Sequence, residues 1–232
     1  MSIEDQLSGE PDDRLPDTEM RDRFLVDSVA RHFEQIFGPV ERVFEDTTSS
    51  FAPIDILRMP LDSDGLFRTY VTAGMACRPM NVPSEVPDPE EYRYAELVLH
   101  VPAQWPVDWA ELQRPENWWP LEILQSMARL PHERESWVWG GHTLNQKMPY
   151  ADDTKLCTAL ICPSYMLPEN AETLAMADGR NVVFLTMAFI YQEEFEFCHA
   201  NYCDAFLDRV ADSGMTPDEF FILDKNRPNV CV

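Results

Sequence analysis

The spacing of apolar residues changes along the chain, and each change marks a different element. Leu25, Val29, Phe33, Ile36 and Phe37 recur at helical intervals, which gives a helix over about 18–37 one apolar face. Asp17 or Thr18 offers an oxygen to its first N–H groups, and Gly38-Pro39 ends it. From 40 to 101 the signal turns to strands, at 40–44, 54–59, 67–76 and 95–101. The last is the clearest, with Ala95, Leu97, Leu99 and Val101 alternating against Glu96, Val98 and His100. Residues 79–92, rich in proline and acids, predict a surface loop.

An irregular connection over 102–117, holding Trp105 and Trp109, leads to a second helix at about 118–130. Pro120 suits its first turn, Leu121, Leu124, Met127 and Ala128 form its buried face, and Pro131 stops it. A loop over 131–155 carries Trp137-Val138-Trp139-Gly140-Gly141-His142. Strands return at 156–162 and 182–191, the second so uniformly apolar that it predicts a central strand covered on both faces. A helix at about 193–212 starts on acids, as its dipole favours. Residues 221–223 predict a final edge strand and 224–232 a tail. The elements are mixed without strict alternation, so the expected fold class is α+β: one domain over 18–232, a mixed sheet flanked by helices. Residues 1–17 predict a disordered acidic arm, with Glu4, Asp5, Glu10, Asp12, Asp13 and Asp17 against Arg14 alone.

Charge narrows the partners. Asp and Glu number 41 against 18 Lys and Arg, a net charge of −23 over 232 residues. Such a surface repels nucleic acid and anionic membranes, and it attracts a basic protein. The acidic start Met1-Ser2-Ile3-Glu4-Asp5 is unlike a signal peptide. The longest apolar run, 182–191, falls short of the ~20 residues that span a bilayer. These features predict a cytoplasmic protein whose six cysteines are free thiols.

Candidate chemistry is sparse. With only 8 glycines the chain has no phosphate-cradling loop. Cys157 and Cys162 fall on opposite faces of a strand, and Cys198 and Cys203 lie ~140° apart around a helix, so neither pair predicts a metal site. No cofactor is expected. An enzyme reading requires a hydrolase in which His142 works with Glu122 or with Cys162 or Cys198. Trp105, Trp109, Trp118, Trp119, Trp137 and Trp139 serve either as core or as an interaction groove. Trp137-Val138-Trp139 alternates, so one face of it is available to a partner. His142 follows a glycine pair that permits a tight turn, where a histidine bridges backbone groups or acts as a ligand or base. Glu122 and Arg129, two helical turns apart, share a face.

The segment Trp119-Pro120-Leu121-Glu122-Ile123-Leu124-Gln125-Ser126-Met127-Ala128-Arg129 resembles the suppressor-of-fused (SUFU) domain family. Its other pieces follow in order: the Ala95-Glu96-Leu97 strand, the Trp139-Gly140-Gly141-His142-Thr143 loop, the apolar strand at 182–191 and the helix start Glu193-Glu194-Phe195. The resemblance covers about 40–230. It implies a non-enzymatic domain that pairs a partner's extended segment with a strand edge. It also places the chain with a free-standing bacterial branch without a second domain, whose members are proposed to be immunity proteins that neutralise toxins. Trp119, Glu122, Arg129, Trp137, Trp139 and His142 are the candidate binding residues. Where animal relatives carry an acid before the loop histidine and an aromatic after Ala-Arg, this chain has Gly141 and Leu130.

Overall fold

The computed structural model describes residues 22–49 and 52–232. They run α1 (Arg23–Phe37), β1 (Arg42–Phe44), β2 (Asp55–Leu61), β3 (Phe67–Ala73), β4 (Ala95–Pro102), α2 (Trp109–Leu112), α3 (Pro115–Glu133), β5 (Thr143–Asn145), β6 (Thr158–Pro163), β7 (Thr173–Ala175), β8 (Asn181–Ile190), α4 (Gln192–Asp212) and α5 (Pro217–Phe221). The arm expected at 1–17 lies outside the described residues, as do the caps expected at Asp17 and Thr18. Within them, α1 opens at Arg23, where Asp22 Oδ1 accepts from the Leu25 N–H at 2.9 Å.

The strands make one mixed sheet in the order β1-β2-β3-β4-β8-β6-β5. β4 and β8 are parallel, and the other neighbours are antiparallel. β7 pairs with the first residues of β8, on the edge whose later part pairs with β6. Helices cover both faces, so the two-residue period sorts side chains between two cores rather than between core and water. Ala95, Leu97, Leu99 and Val101 pack with Ile54, Ile56, Met187 and Phe189 beneath α3. On the other face, Leu57, Met59, Val98 and Phe184 meet Leu25, Val29 and Phe33 of α1. Further along that face, Leu160, Cys162, Ala188 and Ile190 pack under α4 and α5. Each large apolar side chain buried here contributes roughly 1.5–3 kcal/mol.

Several boundaries differ from those the pattern predicts. β3 stops at Ala73 because the buried Glu96 carboxylate gathers the chain after it. Thr72 Oγ1 donates to Glu96 at 2.5 Å, and the N–H groups of Gly74 and Ala76 donate at 2.8 and 3.0 Å. Gly74 has φ +149°, and a Cβ there would lie 2.3 Å from the Pro53 carbonyl oxygen, so only glycine fits.

α3 starts at Pro115 and runs to Glu133, so Pro120 and Pro131 are both internal to it. Pro120 has no N–H for the Glu116 carbonyl; Lys225 Nζ donates to that oxygen instead, at 2.6 Å. The predicted edge strand at 221–223 is absent. Phe221 ends α5, which Thr216 and Glu219 cap, and Ile222 alone bridges to His100 of β4. The loop expected at 131–155 contains β5.

Candidate functional site

The glycine pair after Trp139 turns the chain into the sheet. The His142 N–H donates to the Trp139 carbonyl at 3.0 Å, with Gly141 between them at φ +86°. In return the Trp139 N–H donates to His142 Nδ1 at 3.3 Å. The Trp137 ring meets the imidazole edge-on at a centroid distance of 4.7 Å, and Tyr92 meets Trp139 edge-on, also at 4.7 Å. Val138 is buried between the two half-exposed tryptophans, as the alternation of this tripeptide requires. Burial pushes His142 below the ordinary imidazole value, against a hydrogen bond to the Trp137 backbone that pulls the other way. The ring is neutral at pH 7 and held against its own turn.

β5 follows at once and, among the described residues, is the last strand of the sheet on this side. Thr143, Leu144 and Asn145 oppose Leu160, Ala159 and Thr158. The Ile161 N–H donates to His142 O at 2.9 Å, and the Gln146 N–H donates to Cys157 O at 3.0 Å. This alternation turns the backbone groups of Leu144 toward β6 and those of Thr143 and Asn145 outward. The corner therefore leads directly into a strand edge with two outward N–H and two outward C=O groups.

The six candidate residues divide. Trp137, Trp139 and His142 come together at the corner. Trp119 is 5 % exposed and lies in the core, stacked on Tyr150 at 4.9 Å and edge-on to Phe189 at 4.6 Å. Arg129 does not turn to Glu122; its Nη2 donates to Asp46 Oδ2 at 2.6 Å, which ties α3 to the β1–β2 connection. Glu122 lies exposed on the outer side of α3.

No hydrogen bond among the described residues joins His142 to Glu122, Cys162 or Cys198. Both thiols are buried and pushed upward, Cys162 by burial and Cys198 by a hydrogen bond to Cys203 as well as burial, the reverse of an activated nucleophile. Among the described residues no three His, Cys, Asp or Glu side chains are grouped to hold a metal. No helix among them is long and apolar enough to cross a membrane. Asp46 and the β5 edge escaped sequence reasoning. The Gly140-Gly141 pair was the available signal for the edge, since a tight turn must lead into some element.

The family model described as suppressor of fused protein (SUFU) matches residues 51–228. The chain belongs to the suppressor of fused family. Three solved structures carry the SUFU fold alongside it. A SUFU homolog from Neisseria gonorrhoeae FA 1090 superposes with a TM-score of 0.63 at 15 % identity, covering 89 % of this chain and 96 % of that one. The Sufu-Fu complex gives 0.59 at 15 % identity, over 89 % and 92 %. Drosophila Suppressor of Fused gives 0.58 at 15 % identity, over 89 % of this chain and 51 % of that one, so this SUFU chain spans about half of the fly protein. A search of the curated proteins finds no match.

Proposed function

We propose that this chain is a non-enzymatic protein-binding domain that receives an extended segment of its partner along the outer edge of β5, beside Trp137, Trp139 and His142. One observation carries the reading. Among the described residues, the outward N–H and C=O groups of Thr143 and Asn145 form an unfilled ladder directly after an aromatic corner, and strand addition uses such groups for affinity and neighbouring side chains for specificity. That a SUFU-fold structure is a Sufu-Fu complex supports a protein as the ligand class. The charge of −23 favours a basic partner. We extend the reading to a basic toxin, neutralised in the cytoplasm by stoichiometric binding.

The test is a proline at the edge. Thr143→Pro removes an outward donor without touching a bond to β6. With the partner captured at low salt and identified by mass spectrometry, the variant is expected to bind at least tenfold more weakly while its melting temperature stays within a few degrees. Equal affinity of the folded variant refutes strand addition at β5.

A further inference from the structure

Cys198 and Cys203 sit five residues apart on α4. On an unbroken helix that offset points them ~140° apart. α4 is not unbroken. Tyr202 has φ 67° and ψ 154°, a conformation reserved almost entirely for glycine, and its ring is 85 % exposed, so burial of the ring does not impose it.

The break brings Cys203 back to the body of the protein. Both cysteines belong to the apolar cluster beneath β6 and β8, together with Cys162. The Cys198 and Cys203 thiols lie close enough to perturb one another, and Cys203 Sγ donates to the Gly141 carbonyl oxygen at 3.2 Å. Cys198 is buried, at 4 % exposure, whereas Cys203 is half-exposed. One reachable sulfur backed by one sheltered sulfur is the arrangement of an attacking thiol and its resolving partner.

We propose that Cys198 and Cys203 are a redox-active pair, a modification site that hydrogen peroxide converts to a disulfide within α4. The Cys203 thiolate attacks one peroxide oxygen. An S–O bond forms, the O–O bond breaks, and the departing hydroxide takes up a proton to leave as water. Cys198 then loses its proton and attacks the Cys203 sulfur. The S–S bond forms, the S–O bond breaks, and a second water leaves. Two electrons pass from the two thiols to the peroxide.

Thiol acidity agrees with these roles. The hydrogen bond from Cys198 holds Cys203 below the ordinary thiol value, whereas the other five cysteines are raised, Cys77 to about 11 by burial. The disulfide has no S–H left for Gly141, so oxidation releases the carbonyl at the corner that leads into β5.

The full chain carries its own readout, because trypsin releases residues 181–209 as one peptide holding both cysteines. After hydrogen peroxide treatment and alkylation in denaturant, that peptide is expected to be lighter by two hydrogens and unalkylated at both positions. Cys198→Ser is expected to stop at a Cys203 sulfenic acid, trapped by dimedone. Cys203→Ser is expected to slow consumption of peroxide at least tenfold. Full alkylation of the peptide, a disulfide from either sulfur to Cys162 or Cys231, or dimedone labelling of Cys77 as fast as Cys203 overturns the proposal. The wild-type peptide map alone decides the pairing, whatever the folding of the variants.

Discussion

Arg129 shows what a single residue's spacing conceals. Two turns from Glu122 on one helix, it shares a face with that acid. Its guanidinium instead reaches Asp46, 83 positions away, whose side chain is 1 % exposed. Burial works to raise the Asp46 carboxyl, but hydrogen bonds from Thr48, the Ile54 N–H and Arg129 outweigh it and hold the group below the ordinary carboxylate value. A depressed value stabilises the fold above the unfolded aspartate's value, and that stability is lost as pH falls through the folded one. Arg129→Ala is therefore expected to cost ~3 kcal/mol at pH 7. In urea melts, the gap from wild type should close below about pH 4, where unfolded aspartate takes up its proton. A gap that persists unchanged at pH 3 contradicts the assignment. A partner so distant leaves no periodic trace, so the sequence allowed a carboxylate elsewhere in the fold for Arg129 but could not name Asp46. The alternation of Trp137, Val138 and Trp139 lies within three residues, and it was legible.

At the scale of elements, long periodic segments were legible and short or interrupted ones were not. α1, β4 and β8 follow from their apolar spacing. β5 has three residues, too few to show a period, and only the glycine pair before it hinted at a turn. Pro120 looked like a helix start because its missing N–H is free of cost there. Lys225, far along the chain, satisfies the stranded Glu116 carbonyl and lets the proline stand inside α3. The break in α4 was likewise invisible, since tyrosine is a poor marker for a left-handed residue. Its strain is testable. Tyr202→Gly loses no buried contact and is expected to stabilise the chain by ~1 kcal/mol, a rise of about 2–4 °C in Tm. A lower Tm means that the bend is not strained.

At the scale of the whole molecule, the sheet buries both of its faces, leaving edges rather than faces for extended partners. β1 and β5 are the two ends of its strand order. β5 is the end that the aromatic corner adjoins, and the chain as a whole carries a net charge of −23. Encounter with a basic partner should be steered. Raising salt from 0.01 to 0.15 M cuts the Debye length from ~30 to ~8 Å, so the association rate is expected to fall at least tenfold. An association rate indifferent to salt removes charge from the account.

Amide hydrogen exchange across the captured complex tests strand addition most directly. The account predicts that exchange at the outward amides of Thr143 and Asn145 slows at least tenfold when the partner binds, while β1 at 42–44 is unchanged. Protection at β1 instead, or none at β5 in a saturated complex, contradicts it.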